Sequence, residues 1–299
     1  MEKKKITIGQ IILYILLLLY TLFCFLPILL VIIASFTDGG ELAINGFSFF
    51  PKKLSLDGWR YVLELKDRII KSYGITIFIT FMHTVTTLLV ESMLAFALSR
   101  RSFKLRGVFS MMLLMTTLFS GGTLSSYIFN TNIYHLKDTM LVLWLPAVSM
   151  TNTIILRTYI SGTISDSVVE SAKIDGARDF RIFFQIVLPL MKPSLASIGF
   201  MTAVGKWNAW VPGKLYISTP EKRPLQNILM DIESNIEALQ DSELPLEMLE
   251  AMGGAIPEDS ARMALLFAVL GPIMIIYPFF QKYFVKGLTL GSTSGRKDR

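Results

Sequence analysis

His83, Thr87 and Glu91 stand four residues apart in an otherwise apolar run, with Thr84 beside them. On a helix that spacing puts an imidazole, a hydroxyl and a carboxylate on one face. Such a stripe could hold a cation, relay a proton or line a polar route; equally, it could only hydrogen-bond neighbouring helices. A carboxylate in hydrocarbon is unfavourable by roughly 3 kcal/mol on insertion scales, so it is expected to face a bundle interior or water. Asn152 and Thr153, then Trp207, Asn208 and Trp210, are further polar or aromatic groups inside apolar runs. An indole ring can stack on a flat ligand face, whereas Trp near the end of a span commonly anchors at the interface. From sequence, both the route and the structural role stay open.

No set of residues for covalent or metal chemistry accompanies them. The string nearest a nucleotide-binding P-loop is "GFMTAVGKW" at 199–207. Its glycines are one residue too far apart, and Trp207 stands where Ser or Thr would bind Mg²⁺. Zinc-type spacings are absent, and His83 and His135 are far apart in sequence. The single cysteine, Cys24, permits no intrachain disulfide. The chain is therefore expected to be no enzyme and to bind no cofactor itself.

The elements that carry these residues must be membrane helices. Of 299 residues, 52% are hydrophobic and 17% charged, against roughly 25% charged in soluble domains, and the mean hydropathy is +0.53. Six apolar runs, at about 11–35, 75–98, 108–129, 140–156, 194–211 and 263–280, approach the roughly 20 residues that cross hydrocarbon as a helix. Lipid offers no partner to a free N–H or C=O, so an all-α integral membrane protein of six transmembrane helices is expected. Pro27 and Gly271-Pro272 predict kinks, and Pro146 falls within the short fourth run. The first run exceeds a signal-peptide core and no A-x-A site follows, so it is expected to stay uncleaved.

Basic residues set the sidedness. Lys3, Lys4 and Lys5, the link "RRSFKLR" with Arg100, Arg101, Lys104 and Arg106, the loop with Lys173, Arg178, Arg181 and Lys192, and the tail with Lys282, Lys286 and Arg296 all fall on one side if six spans are counted. The positive-inside rule makes that side the cytoplasm, with both termini on it. Lys52, Lys53, Arg60, Lys66, Arg68 and Lys71 argue the opposite way and are outvoted. The net charge of +6 is thus chiefly a topology signal, and no nucleic-acid partner is expected.

Between the fourth and fifth runs lies "VVESAKIDGARDFRIFFQIVLPL" (168–190), unusually charged for this chain. Ser167 and Glu170 have capping-box spacing, which predicts a helix start at Ser167. Gly176 suits a positive-φ helix end. A second helix from Asp179 would carry Phe180, Phe183, Phe184 and Val187 on one apolar face, with Arg178, Arg181 and Gln185 off it. Pro189 and Pro193 would end it. An amphipathic hairpin of this kind could rest on lipid or present a knob to a cytoplasmic partner.

Glu170-Ser171-Ala172, then Gly176, then Ile186-x-Leu188-Pro189 resembles the "EAA" loop of permease subunits from binding-protein-dependent ABC importers, with Ser171 for the middle alanine. "KIDGA" (173–177), "KWNAW" (206–210), "RPLQNIL" (223–229) and the ending "FFQKYFVKGLTLGSTSG" (279–295) are similar to carbohydrate importers of the maltose type (MalG-like), although Ser294 replaces a lysine of that tail. The resemblance implies one transmembrane domain over 1–299, with core helices about 75–280, a coupling loop at 165–193, and outer loops at 37–74 and 212–262. It implies that Glu170, Ser171, Ala172, Asp175, Gly176, Ala177 and Pro189 form the contact with an ATPase. Glu170 would meet a basic residue there, Ala172 would permit close approach, and Asp175-Gly176 would set the turn. The partners implied are a second homologous permease, two cytoplasmic ABC ATPase subunits that hold ATP and Mg, an extracytoplasmic solute-binding protein and membrane lipid. The expected cargo is sugar, with oligosaccharides foremost, and the setting a prokaryotic cell membrane. The acidic segment "DIESNIEALQDSELPLEMLEAM" (231–252) is expected to be partly helical and to dock the binding protein or simply cap the outer face. His83, Thr87, Glu91, Asn152, Trp207 and Asn208 are the candidates for the translocation path. An ion-gradient transporter built on the Glu91 stripe is the alternative, but it offers no reason for the charged hairpin.

Overall fold

The computed structural model describes residues 7–240 and 259–293. Among these the regular elements are helices, and the one extended pairing is a bridge between Thr37 and Leu54. The chain packs as two compact units: one from the described parts of Met1–Ile70 and Ile228–Pro272, the other from Lys71–Asn227 with the segment after Ile273.

In the first unit, α1 (Ile8–Ser35) is apolar on every side and exposes nearly all of that surface. A helix of this composition is stable only where lipid or another apolar helix covers it. Asp38 caps α2 (Gly39–Asn45) by accepting from the Glu41 N–H at 3.0 Å. Glu41 in turn accepts the backbone N–H groups of Lys52 and Lys53, which folds the segment 41–53 back on itself. Gly58 in α3 (Asp57–Glu64) lies against the Ser260 backbone, where a Cβ would sit 2.6 Å from the carbonyl oxygen. Trp59 packs between Phe36 and Phe267.

The second unit positions the candidate site. Its spine is α4 (Lys66–Ser99), followed by α5 (Arg106–Leu118) and α6 (Gly122–Ile128), then α7 (Leu141–Trp144) and α8 (Met150–Thr163). The hairpin follows as α9 (Asp166–Ile174) and α10 (Asp179–Ile182). It runs through a π-helical turn (Phe183–Val187) into α11 (Leu188–Leu190), α12 (Lys192–Trp207) and α13 (Val211–Tyr216). Later in the chain come α14 (Leu225–Gln240) and α15 (Asp259–Thr293). Ala95 and Phe96 of α4, Leu156 and Ile160 of α8, and Met191 and Ile198 near α12 form one buried cluster with the hairpin. Gly199 lets α12 approach Leu88 of α4 closely, as small residues do between membrane helices.

The apolar runs and the helices coincide only in part. α1, α4 and the Asp259–Pro278 part of α15 are long and apolar enough to cross a membrane, and two further helix pairs qualify only as bent spans. The third run breaks by 113° between α5 and α6, where Phe119 is extended and Gly122 has a φ of 75°. The fifth is reached through an 80° bend between Asp179–Leu190 and α12, next to Pro193. The fourth, 140–156, is no single helix. Pro146 has no N–H and forces Leu145 out of the helical region, so α7 stops at Trp144 and α8 starts after Ser149. α14 covers the first part of the acidic outer segment, while residues 241–252 of that expectation lie outside the described residues. The side chains of the 279–295 tail lie outside them as well.

Candidate functional site: a charged hairpin and the broken apolar run behind it

The hairpin starts earlier than its capping-box spacing predicts. Ser165 is the N-cap of α9, and its hydroxyl is 2.8 Å from that of Ser167. Glu170 therefore lies a full turn inside the helix, exposed, with no hydrogen-bond or ion-pair partner among the described residues. It is not spent on the cap. At the other end Gly176 has a φ of 81°. Its N–H donates to the Lys173 carbonyl at 3.0 Å, and the Ala177 N–H donates to that of Ala172 at 2.9 Å. These two bonds are those of a Schellman helix end, which a glycine accepts without strain. Lys173 Nζ closes the hairpin on Asp179 Oδ1 at 3.1 Å.

The expected apolar face divides between core and surface. Val169, Ile182, Phe183 and Val187 are buried, with Ala172, Ala177 and Ile186 packed against them. Phe180 and Phe184 are exposed. The π-helical turn after Ile182 widens the backbone there, so Ile182, not Phe180, pairs with Phe183 toward the core. The outward surface then carries Glu170, Ser171, Ile174, Asp175 and Phe180, with Pro189 also exposed. Ile174, at 86% exposure, is a bare apolar residue at the hairpin tip. Behind the hairpin, a cavity of about 360 Å³ is lined by Phe96, Arg100, Phe103, Lys173, Phe180 and other residues.

The polar stripe of α4 meets the break in the fourth run. His83 Nδ1 is 3.0 Å from the Leu145 carbonyl, on one side of Pro146. Glu91 Oε1 accepts the Ser149 N–H at 2.8 Å and the Asn152 amide at 3.4 Å, on the other side. Ser149 itself caps α8 by accepting the Asn152 N–H. A carboxylate of α4 thus satisfies the first donor of α8, which suits the positive end of a helix. Between the two contacts Thr87 is buried, and neither its hydroxyl nor Glu91 Oε2 has a hydrogen-bond partner among the described residues.

Trp207 and Asn208 belong to a different cluster. Asn208 Oδ1 accepts from the Gln226 side-chain amide at 3.1 Å, and the Asn227 side-chain amide donates to the Trp210 backbone carbonyl at 2.8 Å. Trp207 is buried beside Tyr73 and shares an apolar cavity of about 500 Å³ with Thr80, Thr84 and Gly199. His83, Thr87, Glu91, Asn152 and Asn208 are not among its lining residues. The six path candidates therefore do not converge on one cavity.

Two features carry no signal in sequence spacing. Asp138, at a φ of 57°, accepts from the N–H groups of Ser218 and Thr219 at 3.0 Å each, from the Thr219 hydroxyl at 2.5 Å and from Lys222 at 3.1 Å. The Thr219 hydroxyl, its backbone N–H and Lys222 hold this carboxyl well below the usual carboxylate range. The knot ties the loop after α6 to the chain after α13, beside the stacked rings of Tyr127 and Tyr216. The second is Lys206 of α12, half-buried and without an ion-pair partner among the described residues.

No protein-family model matches the chain. It is 36% identical over 281 residues to the polygalacturonan/rhamnogalacturonan transport system permease protein YtcP of Bacillus subtilis, covering 93% of this chain and 96% of that protein. It is 35% identical over 272 residues to protein LplC of the same organism, covering 90% and 89%. Among solved structures, a chain of a bacterial ABC transporter involved in the import of the acidic polysaccharide alginate superposes with a TM-score of 0.76. The identity is 28%, and the match covers 95% of this chain and 99% of that one.

Proposed function

Because this chain belongs to the permease subunits of carbohydrate ABC importers, we propose that the 165–193 hairpin is the contact through which an ATPase partner drives its membrane helices. The importer is ATP-driven, which sets the ion-gradient alternative aside. Two ATPase subunits bind the hairpins of this chain and of a second permease, and a solute-binding protein delivers cargo from outside. In this arrangement the chain spans the membrane six times, the bent helix pairs and the α7–α8 pair each counting as one span, with both termini in the cytoplasm.

One observation carries the coupling role. The hairpin buries Val169, Ile182, Phe183 and Val187 against α4 and α8, while Glu170 and Ile174 face outward unpartnered. Protein interiors are close-packed and resist deformation, so a displacement of the outer face must be passed to α4, α8 and α12. ATP binding moves the equilibrium only through contacts that differ between the two states, and the exposed face supplies surface for them. Ala172 packs toward the core, Gly176 keeps the exposed turn low, and Asp175 closes the helix there.

For the cargo, an oligosaccharide that bears carboxylates fits best. Of the proteins compared above, the two whose names state a substrate name polygalacturonan/rhamnogalacturonan and the acidic polysaccharide alginate. Lys206 offers such a cargo a cation with no carboxylate of its own among the described residues. The test of the coupling role is Glu170→Lys in the assembled importer. The expected outcome is loss of ATPase co-purification, or ATP hydrolysis no longer stimulated by loaded binding protein, with the chain still inserted. Normal stimulated hydrolysis and uptake by that variant would remove the proposal.

A further inference from the structure

Four arginines converge on one cavity of about 280 Å³ where α4 ends, α5 begins and α8 passes into α9. They are Arg100 and Arg101 after α4, Arg106 at the start of α5, and Arg157 inside α8. Arg100 is accounted for within the chain. Its side chain is only 11% exposed, it bonds Asp166 Oδ1 at 3.1 Å and the Ser99 hydroxyl at 3.0 Å, and it lies over the Phe96 ring. The guanidiniums of Arg101, Arg106 and Arg157 have no hydrogen-bond or ion-pair partner among the described residues. One carboxylate, Asp166, therefore faces four guanidiniums, and the hydroxyls of Ser161 and Ser165 complete the lining.

A topology signal needs basic residues in a link, and Arg101 and Arg106 would suffice. It does not require a third unpaired guanidinium from within α8 to point at the same space. Guanidiniums match phosphate oxygens by bidentate hydrogen bonds, and several together select an anion of high charge density. Beyond the cavity, α5 and the residue before it present Leu105, Val108, Met111 and Met112 to the outside, a surface suited to acyl chains. Basic pockets between membrane helices on the cytoplasmic side are where anionic headgroups bind.

We propose that this cavity is a phosphate site for the headgroup of an anionic phospholipid of the inner leaflet. It rests on the cytoplasmic placement of the hairpin proposed above. A phosphate held there bridges the α4–α5 link and the α8–α9 joint, so that the lipid fixes the base of the coupling hairpin.

The experiment uses the complete purified importer in detergent, offered equal phosphatidylglycerol and phosphatidylcholine and examined by native mass spectrometry. The expected result is selective retention of phosphatidylglycerol, weakened about thirty-fold by R106Q/R157Q and unchanged by K104Q, which alters a nearby charge outside the cavity. R101Q/R106Q, confined to the link and the helix start, tests the site without touching the packing of α8. Displacement of phosphatidylglycerol by inorganic phosphate supports the phosphate chemistry, whereas binding of inorganic phosphate with no retention of lipid assigns the site to a soluble anion and overturns the proposal. Equal retention of both lipids, equal loss with K104Q, or lipid retention intact in the variants while an ATPase subunit dissociates would each overturn it too. Sidedness is read separately, from labelling of a Ser102→Cys variant in intact cells by an impermeant maleimide. Labelling from outside defeats the cytoplasmic placement while leaving the retention measurement to stand or fall alone.

Discussion

Glu91 is the residue at which two roles for the α4 stripe part company. Its Oε1 accepts the first free N–H of α8, a task that needs an acceptor oxygen at that point and no titration. Gln offers the same oxygen and Leu offers none. Glu91→Gln is therefore expected to keep ATP-driven uptake, while Glu91→Leu should lower stability by about 1–3 kcal/mol, read as the thermal midpoint of the purified complex. Abolished uptake in the Gln variant, with the complex intact, would return the stripe to the transport path. Asp138 gives a pH-dependent counterpart. Its folded carboxyl lies below the ordinary value of about 3.9, so its stabilisation is complete above that pH and is lost as pH falls through the depressed folded value. Asp138→Ala should melt below the wild type between pH 5 and 7, by roughly the same margin throughout, and the two should converge only in stronger acid. A gap that instead widened below pH 4 would show that the carboxylate is not the stabilising species.

At the scale of elements, the hairpin was legible because its signals are local. Gly176 sits at the positive-φ position that its sequence neighbours demand, and α10 starts at Asp179 as the pattern implies. What could not be read is what depends on packing. α9 starts after Ser165 rather than Ser167 with no side-chain cap hydrogen bond, and around the π-helical turn Ile182 is buried while Phe180 is exposed. Likewise the polar stripe was visible at once, but its counterpart was backbone freed by Pro146, some sixty residues on, which has no side-chain signature. The Asp138 knot was invisible in part for the same reason, two of its four partners being backbone N–H groups and the others lying some eighty residues on. The turn at Gly176 makes a prediction of its own. A side chain in the left-handed region costs about 1–2 kcal/mol, so Gly176→Val should loosen the end of α9 and reduce stimulated ATP hydrolysis. Gly162→Ala in α8, where nothing lies within 4 Å of the added methyl and φ is negative, should be neutral or slightly stabilising.

For the whole molecule, the decisive quantity is where the energy enters and what it moves. The chain is a permease subunit of a carbohydrate ABC importer, and its sequence carries no P-loop string. Its buried cluster instead makes one mechanical body of α4, α8, the hairpin and α12. Lys206 lies in that body, close to the C-terminal end of α12, so a charged sugar would meet it only when the helices carry it to the passage. Uptake into proteoliposomes should accordingly need trapped ATP, the ATPase subunits and the binding protein together, and an imposed proton or sodium gradient alone should produce none. With that established, galacturonate oligomers and their neutral methyl esters separate the contribution of Lys206. A hydrogen bond to a charged group is worth about 1.5–3 kcal/mol, so Lys206→Gln should weaken transport of the acid by about tenfold or more at low concentration. The ester, lacking the charge, should be carried equally by both proteins. Equal losses for acid and ester would make Lys206 a structural cation and remove the charge from the cargo, while leaving the ATP requirement untouched.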